Sequence, residues 1–365
     1  MVSRRAFLAL SAAALSCGRR VTPGYRGYAF VANADGPAIA AVDLEALAVA
    51  RHIPLDAPPE QVIASQTRPA VYALTPSTGA IHEIDSEHLR FRRKLPVASQ
   101  AISMIMSNDE RSLFVLARDP RALLRIALDS LQVSQRIALP EEPLSFDIAA
   151  GGKTAAISFG SSFRFVDLES GKLSEPSGAG DYGVVRFRGD GRWLIAADRA
   201  GPRLSIYDVE STQLISNLPL AVRPDNLCFN ADGGQLFITG PGLDGVVIVF
   251  PYHIPEVAET VLAGNAPGPM GASGAFLFVT SPQAGVVSIL EIRNRKVVGV
   301  VPVGSDPECV VVTRDDQFAL VLNRTSGDVA VLRIASIQPN PMKKAALLTV
   351  IPVGSRPVSA DVRPV

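Results

Sequence analysis

The run FLFVTSPQAGVVSILEIRNRKVVGVVPVG (276–304) contains an apolar segment, a turn, a second apolar segment, another turn, and a third segment that ends at a proline. The same plan recurs in AFVANADGPAIAAVDLEALAVARHIPL (29–55) and in FALVLNRTSGDVAVLRIA (318–335), and a fourth short strand follows the proline, as in PECVVVTRDD (307–316). First strands of the unit start near Tyr28, Val71, Leu113, Ala155, Trp193, Leu236, Phe276 and Phe318, eight starts about forty residues apart. A repeat of that period marks a stacked or ring-shaped architecture.

Two features fix the register. The turn before the first strand is rich in Asp and Gly, as in SNDERS (107–112), GDGRW (189–193), ADGGQ (231–235) and RDDQF (314–318). Such residues accept tight hairpin geometry at little strain. The second strand often ends in aspartate, at Asp43, Asp85, Asp129, Asp167 and Asp208. A carboxylate there can accept the amides of the following turn. A regular series of this kind is a turn element, not five catalytic acids. The strands are apolar on nearly every position, which means both of their faces are covered. Four-stranded sheets stacked around an axis meet that requirement, so the fold class is all-β, a single propeller. Eight units predict eight blades, and seven is the alternative if one unit is degenerate. The chain opens on a first strand and ends on RPVSADVRP (356–364), a strand of the fourth type. The last strand should therefore complete the first blade and close the ring.

Composition agrees. Of 365 residues, 47% are hydrophobic and 19% charged, and the 28 prolines and 29 glycines are spread along the chain, as many turns require. Lys+Arg and Asp+Glu balance at 35 each, so no overall field favours nucleic acid. The N-terminus MVSRRAFLALSAAALSCGRR reads as a signal peptide over 1–17, its apolar core too short to span a bilayer. Arg4 and Arg5, followed by Phe7 and Leu8, resemble the twin-arginine export motif. ALSC (14–17) resembles a bacterial lipobox, in which Cys17 would be lipidated, although Ala14 stands where Leu is usual. Residues 18–26 are then a linker and 27–365 the propeller. The expected location is the periplasm of a bacterium, free or as a membrane-anchored lipoprotein. Cys228 and Cys309 fall on non-adjacent units and are expected to be free thiols.

The units resemble the YVTN β-propeller repeat family. FVAN (30–33) and FVTS (278–281) match its first-strand signature, and AAVDLEALAVARHIPL (40–55) and VVSILEIRNRKVVGVVPVG (286–304) match the continuation. The resemblance spans about 340 residues, essentially the whole mature chain. Blades four and six depart most, through the shortened SFGSSFRFVDLESGKLSEPSG (158–178) and through IVFPYHIPEVAET (248–260), which lacks the turn aspartate.

Propellers place ligands at the mouth of the central channel, on loops entering the innermost strands. Aligning those loops nominates Glu60, Glu142, Tyr182, Arg223, Asp306 and Arg356 as ligand-binding residues, with Gln100, Asp181, Asp225 and Glu308 beside them. Two arginines there could grip a small anionic or carbohydrate-like ligand. The competing view is a solvated rim whose charges pair with one another. No GxSxG, HExxH, P-loop, dinucleotide or CxxCH pattern is present, so no catalytic residue, metal ligand or cofactor is expected. The leading expectation is a monomeric binding or scaffold module with a protein or small-molecule partner, tethered to a membrane if Cys17 is lipidated. The second is a hydrolase: several YVTN-like propellers resemble lactonases, which would here use mouth carboxylates. A third is a resemblance to eight-bladed haem d1 propellers, which needs an axial ligand that no mouth-loop histidine supplies. The repeated joints VPVGSDP (301–307) and IPVGSRP (351–357) lie fifty residues apart because of an insertion between Arg333 and Pro352. The insertion is expected to project as a basic, proline-stiffened loop. Within the joints, Asp306 and Arg356 are the variable residues.

Overall fold

The computed structural model describes residues 25–252, 254–337 and 346–365. The expected signal peptide with Cys17, most of the expected linker and residues 338–345 of the insertion lie outside them. The described chain forms eight antiparallel sheets in a ring, an eight-bladed β-propeller. The second strand of each blade begins at Gly27, Ala70, Ser112, Thr154, Trp193, Leu236, Phe276 or Phe318, within one residue of each sequence-derived start. The blades span residues 27–54, 61–96, 100–138, 145–167, 182–219, 226–262, 270–302 and 307–352.

The ring closes as the termini imply. Pro357–Pro364 pairs antiparallel with Gly27–Asn33 and becomes the innermost strand of blade 1, in register from Gly27↔Pro364 to Ala32↔Ser359 and shifted by one residue at Asn33↔Pro357. Hydrophobic side chains divide into eight clusters, each straddling two adjacent blades. Between blades 8 and 1, for example, Val31 and Val42 meet Leu320 and Val331. Because each sheet is sandwiched, second strands such as Ala70–Thr75 and Phe318–Asn323 are buried at every position. Each fully buried Val, Leu, Ile or Phe there contributes on the order of 1.5–3 kcal/mol.

The repeated aspartates are turn elements. Asp43 Oδ1 accepts the amides of Glu45 (2.8 Å) and Ala46 (2.9 Å), and Asp167 Oδ1 those of Glu169 (3.0 Å) and Ser170 (2.7 Å). Asp85 and Asp208 do the same. Asp129 departs: its carboxylate reaches Arg68 at 2.7 Å. Each turn then closes on a left-handed residue, such as Leu47 (φ 54°) or Leu89 (φ 48°).

Blade 4 is the irregular member of the four-stranded plan, with three regular strands in its sheet. The outermost position is taken by 171–178, joined only by the isolated bridges Val166↔Leu173 and Phe163↔Ser177. Pro176 has no N–H to donate, and Ser174 Oγ, not a carbonyl, accepts the Phe165 amide at 3.0 Å. The seven regular outermost strands each carry a register shift. Bulges of this kind blunt an exposed edge against further pairing.

Candidate functional site

The joint between blades explains the recurring heptapeptide residue by residue. The Val303 and Val353 amides donate to the Gly285 and Gly327 carbonyls, both at 3.0 Å. Their own carbonyls accept Asn323 Nδ2 (3.3 Å) and Asn33 Nδ2 (3.0 Å). A Cβ on Gly304 would stand 2.5 Å from Asn323 Nδ2, and one on Gly354 2.9 Å from Asn33 Nδ2, so these two positions demand glycine. The variable residues take left-handed backbone, Asp306 at φ 61° and Arg356 at φ 57°, as does Ala266 (φ 45°) in the preceding joint. The Asp306 and Arg356 carbonyls then accept the Arg324 amide (2.9 Å) and the Ala34 amide (2.8 Å). Non-glycine residues held in this region cost of order 1 kcal/mol or more and cluster at functional sites.

This geometry brings Asp306 and Arg356 together. Both line a cavity of ≈ 770 Å³ between blades 8 and 1, with Asp35, Arg324, Thr325 and Ser355. Arg356 Nη1 pairs with Asp35 Oδ1 at 3.2 Å, Arg324 Nη1 with Glu308 Oε2 at 2.6 Å, and Thr325 Oγ1 donates to Asp306 Oδ2 at 3.2 Å. Hydrogen bonding to Glu308, the main cause, raises the Arg324 pKa further and fixes its charge. Arg356 Nε is shielded from solvent and meets no acceptor among the described residues. Asp306 also lines a second cavity of ≈ 500 Å³, toward blade 7.

The other nominated residues are not drawn to this place. Glu142 pairs with Arg118 at 2.8 Å and Arg223 with Asp225 at 3.8 Å, so much of the rim pairs with itself. Glu60 is exposed on the blade 1–2 joint. Tyr182 is corrected: it opens an innermost strand but points into the interface with blade 4, where it is 1% exposed. Its hydroxyl bonds to that of Tyr207 at 2.8 Å and accepts the Ala179 amide, and its ring lies edge-on to Phe163. Asp35 and Arg324 lie on turns between the second and third strands, not on the loops entering innermost strands from which the sequence nominees come. In an antiparallel four-stranded blade the turn between second and third strands returns to that same end, and this rule would have found both.

The channel wall shows a second repeated device. Asp147 Oδ2 accepts the Phe187 amide of the next blade at 2.7 Å, and Asp361 Oδ2 the Ala64 amide at 2.8 Å. Gln61 bonds both ways with the Met104 backbone, at 2.8 and 2.9 Å. Cys228 and Cys309 occupy the third position of their innermost segments, as Asp147 does, and lie against the Ala272 and Ala360 amides. Both thiols are free, and burial, only partly offset by those amides, pushes each up to about 11. Burial likewise raises the Asp147 and Asp361 carboxyls.

His52 lies on an outermost strand, His82 is buried with Nε2 2.7 Å from Asp56, and His88 sits in the turn after Asp85. His253 is outside the described residues. Among the described residues the one group of three potential metal-binding side chains is Asp85, Glu87 and His88, at the end opposite the mouth. The chain enters at that same far end, where the Gly27 carbonyl accepts the Leu44 amide.

No protein-family model and no curated protein matches the sequence. Solved structures do match. A dihydro-heme d1 dehydrogenase, NirN, in complex with DHE aligns with a TM-score of 0.74 and 14% identity, over 92% of this chain and 75% of that one. Hydrazine synthase of Kuenenia stuttgartiensis aligns at 0.61 and 18%, over 79% of this chain and 99% of that one. A functionally unknown protein from Desulfotomaculum acetoxidans DSM 771 aligns at 0.62 and 11%, over 93% and 99%. At these identities the likeness is one of fold.

Proposed function

We propose that this chain is an exported, YVTN-type propeller that works as a binding module, taking a small polar ligand at the cavity between blades 8 and 1. One observation carries the reading: Asp306 and Arg356, the variable residues of two otherwise shared joints, line the same cavity. Their common framework is fixed by packing and hydrogen bonds, so variation there is free to serve recognition. The basic n-region and Cys17 support export and a lipid tether. Because the chain enters opposite the mouth, a tether at Cys17 would hold the far end to the membrane and leave the mouth open to solution.

The test is calorimetric titration of the purified mature protein with small carboxylates, amino acids and polyols, repeated on Arg356→Gln. Saturable binding that weakens at least tenfold in the variant is the expected result. Wild-type protein that binds none of them, or binding indifferent to Arg356→Gln, refutes the assignment. Absorbance and metal content of the same preparation test the competing tetrapyrrole-type reading that the NirN likeness brings, and stoichiometric colour would favour it. Labelling with a radioactive fatty acid, lost in Cys17→Ser, tests the tether.

A further inference from the structure

The side chains that line the cavity between blades 8 and 1 carry charge of both signs, and Glu308 stands beside Arg324 as its ion-pair partner. Asp35 and Asp306 supply two carboxylates, and Arg324 and Arg356 two guanidiniums. A simple anion drawn to the arginines meets the two acids, and a simple cation meets the reverse. Neither gains the full attraction of its partners. A ligand with separated opposite charges gains from both. The arginines also keep donor capacity in reserve: Arg356 pairs with Asp35 and Arg324 with Glu308, each through Nη1, and both guanidiniums stay partly exposed. A ligand carboxylate can take guanidinium hydrogens that remain exposed on these side chains. On the acid side, Asp306 Oδ2 takes, among the described residues, the Thr325 hydroxyl at 3.2 Å, and Asp35 is exposed with Arg356 as its ion-pair partner.

We infer that this cavity selects zwitterions, receiving a carboxylate against Arg356 and Arg324 and an ammonium group against Asp35 and Asp306. The inference rests on the binding-module reading above and specifies its ligand class. Selectivity follows from placement. The left-handed backbone at Asp306 and Arg356 sets the two side chains on successive joints around one cavity, and the joints themselves are pinned by Asn323 and Asn33. The charge pattern is therefore held by the ring and does not depend on mobile side chains alone.

The experiment is calorimetric titration of the mature protein with ω-amino acids from glycine to 6-aminohexanoate. Each is compared with its matched carboxylic acid and its matched amine, and myo-inositol serves as an uncharged polyol. At least one amino acid should bind at least tenfold more tightly than both singly charged partners. That preference should disappear in Asp35→Asn and in Arg356→Gln, with circular dichroism confirming that both variants fold. A matched carboxylic acid that binds as tightly as its amino acid overturns zwitterion selection and leaves the binding module standing. Tight binding of inositol alone does the same. If no member of the series binds, both readings fall.

Discussion

The side-chain amide of Asn33 donates to the carbonyl of Val353 across 3.0 Å, linking the beginning of the ring to its end over 320 residues of sequence. Asn323 makes the equivalent bond to Val303. The asparagine that ends the second strand thus clamps the joint at the mouth end of the blade. Asn33 is 2% exposed, so its loss leaves the Val353 carbonyl poorly satisfied. Asn33→Ala is expected to cost about 1–3 kcal/mol. Asn33→Asp should cost more, because a carboxylate would face a carbonyl. Urea unfolding of both variants measures this, and an unchanged midpoint in Asn33→Ala would contradict the clamp.

Ending the chain after Gly354 removes the innermost strand of blade 1 and exposes the hydrophobic cluster it covers, including Val31 and Leu320. In a closed ring no blade buries both faces alone. The truncated chain should therefore lose cooperative unfolding altogether, not merely melt a few degrees lower. Adding a synthetic peptide of residues 355–365 should restore part of the transition. A truncated chain with an intact, sharp transition would rule out closure by the terminal strand.

Nearly the whole fold was legible because a propeller blade writes its period, its turns and its double-sided burial into forty residues and repeats them eight times. Blade 4 was legible only in part: SEPSG (174–178) announces a departure, but not that Ser174 Oγ would replace a ladder carbonyl. The site was harder, since convergence across blades has no trace in linear spacing. Asp306 and Arg356 were found because they vary within a constant frame. Tyr182 was misplaced because its segment has the right position in the repeat while its ring prefers the aromatic interface with Phe163 and Tyr207.

The cysteines read better once the repeat is superposed. Cys228 and Cys309 stand where Asp147 stands, and each faces an amide of the neighbouring innermost strand. With both thiols pushed up to about 11, the thiolate fraction near pH 8 is only about one in a thousand. Native protein should react with a thiol reagent at pH 8 at least a hundredfold more slowly than the same protein in urea. Cys309→Ser, which keeps an acceptor, should be tolerated better than Cys309→Ala, by about 0.5–1.5 kcal/mol. Rapid native labelling of either thiol would contradict this account.

Acid should weaken the turn following Asp85. Burial pushes this carboxyl up, but the His88 amide, the His88 ring and the Arg92 guanidinium outweigh it and hold the group at about 2, against an ordinary value of 3.8. A carboxyl depressed in the folded state contributes stability above its unfolded value, and that contribution disappears as pH falls through the folded one. The window is therefore about pH 4 down to pH 2. With Arg92 half-exposed and His88 exposed, screening reduces the contribution to roughly 1–2 kcal/mol. Asp85→Asn should thus be less stable than the wild type at pH 6, and the gap should close toward pH 2. Urea midpoints collected across that range test the sign, and a gap that widens on acidification would show that the Asp85 charge does not hold this turn.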